Sequence, residues 1–296
     1  SIISLGRLCR WLATVAEDLG VEIYPGFAAV EPVIDATNRL VGVITGPMGQ
    51  QKDGSPGPGY QPGITILAKQ TLLSEGCRGS LSEQLIAHYD LRANCAHQTY
   101  GLGVKEVWEV DSADYQPGRV EHTLGYPLPS DVYGGGFIYH ARHNQVFIGL
   151  VAALDYQNPT FSPHDALQRW KTHPNIARLL RHGRRIGYGA RALNEGGLQS
   201  IPKLNFPGGA LMGCAAGFLN VPRIKGIHNA MHSALLAADA VWTVLQSDDI
   251  TCEGLTQTVL KSRVGQDLHR ARNVRPGFRF GRLVGVLHAG IDQFIL

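Results

Sequence analysis

The residues best suited to chemistry here are small ones: Gly213-Cys214-Ala215-Ala216-Gly217-Phe218, running through Asn220-Val221-Pro222 into an alanine-rich stretch. Small side chains let backbone approach a ligand closely. Unpaired amides and the positive dipole end of a following helix suit an anionic or electron-rich partner. Flavin carbonyls and phosphates are such partners, although a tightly packed strand-to-helix turn reads the same way. A second glycine-bearing turn, Ser74-Glu75-Gly76-Cys77-Arg78-Gly79-Ser80, separates a short apolar strand from a helix. The third candidate is Gly134-Gly135-Gly136 between Tyr133 and Phe137. It offers either exposed backbone donors beside aromatic surface, suited to a planar carbonyl ligand, or a plain β-turn.

Other chemistries have less behind them. Arg191 and Glu195 allow an ion pair or substrate clamp, with a solvated turn as the blander account. His228 and His232 lie one helical turn apart but lack the Glu of H-E-x-x-H, and His140 and His143 complete no metal-ligand triplet. No G-x-S-x-G and no phosphate-loop signature occurs, so nucleophilic hydrolysis and phosphoryl transfer have no visible apparatus. Cysteines at 9, 77, 95, 214 and 252 show no C-x-x-C spacing and an odd count, which argues against a disulfide framework or a cysteine-held metal and for a reducing compartment. With 27 basic and 24 acidic residues, the net charge of +3 is too small and too evenly spread for a nucleic-acid surface.

The elements that must position these residues follow from periodicity. Leu5, Leu8, Leu12, Val15, Ala16 and Leu19 share a helical face that Gly20 stops. Residues 21–24 read as a buried strand, and residues 28–34 and 40–45 as a hairpin turned at Asn38-Arg39. The Gly- and Pro-rich stretch 47–63 reads as an exposed loop. A strand at 71–73 runs into a helix at 81–89, residues 98–154 are strand-like, and Pro163 and Pro174 each open a helix. After residue 206 the pattern reverts to α/β, with a long helix over 224–245. The start at Ser1 shows neither an initiating Met nor a signal peptide, so an internal piece of a longer chain is expected. The apolar run after Leu283 is still building at Phe294, Ile295 and Leu296. At roughly 14 residues against the roughly 20 a bilayer needs, it reads as an interfacial or buried helix.

Several long strings carry a family resemblance: Asp90-Leu91-Arg92-Ala93-Asn94-Cys95, Asp155-Tyr156-Gln157-Asn158-Pro159, Ser200-Ile201-Pro202-Lys203, and the stretches 189–197 and 213–226. They closely resemble electron-transfer flavoprotein:ubiquinone oxidoreductase. With Gln51-Lys52-Asp53-Gly54 and Pro117-Gly118-Arg119-Val120, the similarity spreads over nearly the whole chain.

The resemblance implies an α/β (mixed α+β) fold: part of an FAD/NAD(P)-binding domain of the glutathione-reductase type with an inserted, mostly β quinone-binding domain. It divides the chain into 1–81 (FAD-binding, without the first βαβ unit), 82–188 (ubiquinone-binding), 189–246 (FAD-binding return) and 247–296 (helical, ending before an iron–sulfur module). It implies a monotopic oxidoreductase passing electrons from reduced electron-transfer flavoprotein through FAD and a 4Fe-4S cluster to ubiquinone. The site is the bacterial inner membrane or the matrix face of its mitochondrial counterpart, with no nucleic-acid partner. Carried over, Gly213, Cys214, Gly217, Asn220 and Val221 contact the flavin with Gly76 and Cys77 nearby, Cys214 being a small packing residue and no nucleophile. Gly134 and Gly135 hold a quinone carbonyl beside Tyr133. The G-x-G-x-x-G turn and the cysteines that would ligate iron are not in these residues. The alternatives are a flavin monooxygenase or geranylgeranyl-reductase-like enzyme of the same fold, or an inactive quinone- or partner-binding piece.

Overall fold

The computed structural model describes residues 2–294, apart from the side chain of Phe294. The apolar residues Ile295 and Leu296 of the expected terminal segment lie outside the described residues. The chain condenses into two units, each assembled from separated stretches. One takes the chain up to Ile23, Thr99–Leu193 and Pro276–Ile291; the other takes Tyr24–Gln98, Asn194–Arg275 and the chain from Asp292.

Helix α1 (Leu5–Asp18) forms where the apolar spacing places it, yet it buries no residue, and Trp11 remains 61% exposed. The strand expected at 21–24 does not form. No strand among the described residues pairs with it, so its backbone gains no ladder there, and Val21 and Tyr24 are 53 and 58% exposed.

In the unit built around residues 24–98, β1 (Ala29–Ile34) and β2 (Leu40–Thr45) make the expected hairpin. Asp35 ties its turn by accepting from the amides of Thr37 and Arg39 at 2.8 and 3.0 Å, and Asn38 takes φ 62°. Residues 47–63 are not all loop: β3 (Met48–Gln50) and β4 (Pro56–Gln61) pair as a two-stranded ribbon. A ribbon with open edges leaves Pro no ladder bond to break, which is why composition hid it. β5 (Thr65–Leu67) joins β2, whereas β6 (Thr71–Leu73) enters a different sheet. Helix α2 (Ser80–His88) follows.

The other unit holds a five-stranded sheet from β7 (Tyr100–Glu109), β8 (Val120–Thr123), β9 (Gly134–His140), β10 (Gln145–Ala153) and β11 (Arg184–Asn194), in the order β11-β7-β10-β9-β8. The pairs β7–β10, β10–β9 and β9–β8 are antiparallel. Helices α3 (Pro163–Lys171) and α4 (Pro174–Leu180) open at the expected prolines. Leu167 and Trp170 of α3 bury in one cluster with Ile148 and Leu150 of β10. Ser162 caps α3 by accepting from the Asp165 amide.

Returning to the first-described unit, β12 (Asn205–Phe206), β13 (Gly209–Leu211) and β6 form the sheet β12-β13-β6. Helices α5 (Ile227–Leu245), α6 (Leu255–Lys261) and α7 (Arg263–Ala271) complete its core with Leu73, Phe206, Phe218, Val244, Val259 and Leu268. A one-turn α8 (Val274–Gly277) precedes α9 (Arg282–Phe294). The compact unit that holds α2 runs to Gln98, and Leu81, Leu85 and Ile86 of α2 pack in the cluster that holds Leu73 and Phe206.

The five-stranded sheet contains one buried charge. Glu106, 2% exposed, accepts from Lys171 Nζ at 2.9 Å, from Trp108 Nε1 at 2.7 Å and from Arg185 at 3.2 Å. Burial alone would raise its carboxyl, but these donors and the Lys171 charge outweigh burial and hold it below the ordinary value. Its ionised form therefore stabilises the fold above the unfolded glutamate value of about 4.3, and that contribution is lost as pH falls from there through the lower folded value. We expect Glu106→Gln to cost about 3 kcal/mol in urea denaturation at pH 7 by stranding Lys171, with the gap to the parent closing below about pH 4.

Candidate functional site

The strands β6 and β13 run parallel, with Thr71 opposite Gly209 and Leu73 opposite Leu211, and the Met212 amide donates to the Leu73 carbonyl at 3.0 Å. Both chains therefore leave the ladder at the same edge, the carboxyl end of parallel strands where α/β sheets bind ligands. From that edge start the turn 74–79, with Gly76 and Cys77, and the turn 212–218, with Gly213, Cys214 and Gly217. Gly213 (φ 58°) and Gly217 (φ 94°) occupy the left-handed region that glycine adopts without strain. A Cβ on Gly217 would stand 2.8 Å from Gln98 Nε2, and one on Gly213 would press on Ala230 of α5 at 3.3 Å.

The expectation of unpaired amides at this turn is corrected by the geometry. The amides of Ala216, Gly217 and Phe218 all close on the Gly213 carbonyl, that of Ala215 on Met212, and that of Gly213 on Ser233 Oγ at 3.0 Å. The tight 3-10 turn thus engages most of its amides within the protein. The long helix starts at Ile227 rather than at 224, because Ile224 sits at φ 53° in a turn closed by reciprocal Asn220–Lys225 backbone bonds. Asn220, 2% exposed, donates to Asp267 Oδ2 at 2.9 Å, while the half-buried Val221 accepts from the Ile224 amide. At the other turn, Glu75 accepts from the amides of Leu81 and Ser82 at 3.3 and 2.6 Å, so the N-terminus of α2 already holds a carboxylate.

The thiol of Cys214 is pushed up, first by burial and then by Cys77, which keeps it protonated and unreactive at neutral pH. Around Gly217 the structure adds residues that spacing does not reveal. Gln98 accepts from the Gly196 amide at 2.7 Å, and Asn194, 3% exposed, keeps its Oδ1 buried without a partner among the described residues. Its amide nitrogen would lie 3.9 Å from a Cβ on Gly217. A side-chain-free turn with a buried acceptor awaiting a donor fits a planar heterocycle carrying N–H and carbonyl groups. Glu195 pairs with Arg275 at 3.4 Å rather than with Arg191, which lies exposed on β11.

In the five-stranded sheet, Gly134 and Gly135 are not a turn. They open β9, opposite Ala152 and Val151 of β10. A Cβ on Gly134 would collide with the Val151 carbonyl, one on Gly135 would stand 2.5 Å from the Thr123 carbonyl, and one on Gly136 would strike Trp170. Packing alone thus requires glycine along this strand. The half-buried Tyr133 accepts from the Ala153 amide at 2.8 Å and meets Phe278 edge-on at 4.9 Å. Phe278 leads into α9, which Arg282 fastens by donating to the carbonyls of Leu128 and Pro129 at 2.6 and 2.7 Å. Along α9 and its approach Phe280, Leu283 and Leu287 are 77, 82 and 69% exposed, an apolar stripe without cover. No helix among the described residues is long and apolar enough to cross a membrane.

Comparison with known proteins places this geometry. The family model described as ETF-QO, ubiquinone-binding matches residues 100–193, the stretch that builds the five-stranded sheet. The mitochondrial electron transfer flavoprotein-ubiquinone oxidoreductase of Oryza sativa is 49% identical over 99% of this chain and 51% of its own. Among solved structures, a geranylgeranyl bacteriochlorophyll reductase-like protein of Thermoplasma acidophilum superposes with a TM-score of 0.72 at 15% identity, covering 98% of this chain and 67% of that one. An HpxO variant of Klebsiella pneumoniae solved with FAD reaches 0.52 at 14%, covering 99% and 65%. These two likenesses show a mixed α/β fold. The chain spans about half the length of the curated relatives it matches, and along its own length its sequence is similar to the electron transfer flavoprotein-ubiquinone oxidoreductases.

Proposed function

We propose that this chain is the flavin- and quinone-handling part of an oxidoreductase that takes electrons from reduced electron-transfer flavoprotein and delivers them to ubiquinone. The observation that carries the reading is the 49% sequence identity sustained over 99% of the chain. The matched ubiquinone-binding model supports the acceptor. In this reading the sheet β12-β13-β6 and α5 belong to a dinucleotide fold of the glutathione-reductase type. The stretches 1–81 and 189–246 form its parts, 82–188 is the ubiquinone domain, and 247–296 leads toward an iron–sulfur module whose ligands, for a 4Fe-4S cluster, lie beyond this sequence.

FAD would be held by Gly213, Cys214, Gly217, Asn220 and Val221, with Gly76 and Cys77 nearby, and supplies redox chemistry that no amino-acid side chain can. The chain's own tasks are positional. Gly213 and Gly217 keep side chains out of the way, Asn194 Oδ1 offers a buried acceptor, and Asn220 fixes the exit of the turn through Asp267. Neither Cys214 nor Cys77 is assigned a nucleophile's role, and the protons that ubiquinone takes up on reduction to ubiquinol come from solvent rather than from a general acid of the protein. For the quinone, Tyr133, Gly134 and Gly135 present the glycine-bearing start of β9 beside an aromatic pair. The apolar stripe of α9 suits contact with a membrane surface without spanning it. The bacterial inner membrane or the matrix face of the mitochondrial one is the setting.

Two measurements on the full-length protein test this. Gly217→Val introduces a side chain at φ 94° against Gln98. We expect the variant to retain its circular dichroism but lose most of its 450 nm absorbance; full flavin content would remove this turn from the site. In liposome pelleting, Leu283→Asp combined with Leu287→Asp should move the protein to the supernatant while flavin reduction by electron-transfer flavoprotein continues. Unchanged pelleting would place membrane contact elsewhere.

A further inference from the structure

His140 closes β9, is 1% exposed, and meets the segment joining β7 to β8 through its backbone and its ring. Its carbonyl accepts from the Gly118 amide at 2.8 Å, its amide donates to the Arg119 carbonyl at 2.9 Å, and its ring Nδ1 accepts from the Gln116 amide at 3.0 Å. The two backbone bonds are indifferent to pH. The third fixes the tautomer. A backbone N–H can only donate, so Nδ1 carries no proton and the neutral ring bears its hydrogen on Nε2. That Nε2–H has no hydrogen-bond partner among the described residues, with Glu121 Oε1 standing off at 3.7 Å.

Charge faces the ring from three elements. Glu121 of β8 pairs with Arg119 at 2.9 Å, and Arg178 of α4 pairs with Asp114 of the connecting segment. Together with Asn175 these four line a cavity of about 110 Å³ beside the ring. Tyr115, from the same segment, stacks on the ring at 5.7 Å and donates to the Ala141 carbonyl. Each acid in the cavity already has an arginine, and among the described residues no three His, Cys, Asp or Glu side chains are placed to hold a metal. A second proton can enter the ring only at Nδ1, where it would point at the Gln116 amide hydrogen. Two donors cannot share that contact, so protonation breaks it. Burial, aided by Arg119, outweighs the Glu121 charge and holds the ring below the ordinary histidine value. Because the folded value lies below the unfolded one of about 6.5, the neutral ring contributes fully above that pH, and its contribution is lost as pH falls toward the folded value.

We propose that the His140 ring is a proton-operated latch, holding the 111–119 segment against the end of β9 while neutral and releasing it when charged. The imidazolium then turns its charge to Glu121 and to water entering the cavity. Hydrogen exchange of peptides covering 111–119 in the full-length protein tests this, run from about pH 8 down to about pH 5 and corrected for the intrinsic pH dependence of amide exchange. Peptides from β10 serve as the internal reference. We expect protection of the segment to be level above about pH 6.5 and then to fall by up to roughly tenfold per pH unit, while β10 holds steady. His140→Gln keeps an acceptor for the Gln116 amide but has no titrating ring, and its protection should stay level throughout. Should that variant fold poorly, histidine-selective nitrogen-15 spectra of the parent report the tautomer directly, with the proton expected on Nε2 at neutral pH. A parent segment whose protection ignores pH overturns the latch. So does a parent-like fall in His140→Gln, or a proton found on Nδ1 of the neutral ring.

Discussion

The parallel ladder between β6 and β13 is the constraint on which the candidate flavin site depends. Three residues on each side suffice, because Thr71, Leu72 and Leu73 align with Gly209, Ala210 and Leu211 and fix where both chains leave the sheet. Parallel pairing sends them out at the same edge, which antiparallel pairing would not. Two turns separated by more than 130 positions in the chain thereby come to one place, close enough for Cys77 to raise the Cys214 thiol.

Around that edge the protein satisfies its own polar groups before offering any to a ligand. The 3-10 turn closes its amides on Gly213 and Met212, Glu75 occupies the start of α2, and Asp267 gathers Asn220, Asn229, His228 and Arg223. Burial opposes the charge on Asp267, but those donors hold its carboxyl below the ordinary range. The exception near the turn is Asn194 Oδ1, and a buried acceptor without a donor is costly enough to mark a place where a ligand group belongs.

The five-stranded sheet solves a different problem by the absence of side chains. Gly134, Gly135 and Gly136 admit the Val151 and Thr123 carbonyls and the Trp170 ring to positions where any Cβ would intrude. Trp170 belongs to the core of this sheet, so the same glycines that expose backbone beside Tyr133 also let the core close. Packing by itself demands glycine at these positions, so their composition alone does not mark a binding site.

Local pattern by itself determined much of this protein. The amphipathic helix at 5–18, the hairpin turned at Asn38, the proline-opened helices α3 and α4 and the alanine-rich α5 each depend on periodicity or turn chemistry within a few residues. Long unusual strings carried the family resemblance. Tertiary structure alone decided that residues 21–24 find no partner strand, that 48–61 form a ribbon, and that the three glycines lie inside β9. It also brought Gln98, Asn194 and Asp267 to the neighbourhood of the glycine turn, from positions that no spacing rule connects. Periodicity reports which face of an element seeks burial, but which distant element meets that face depends on packing and hydrogen-bond satisfaction across the whole unit.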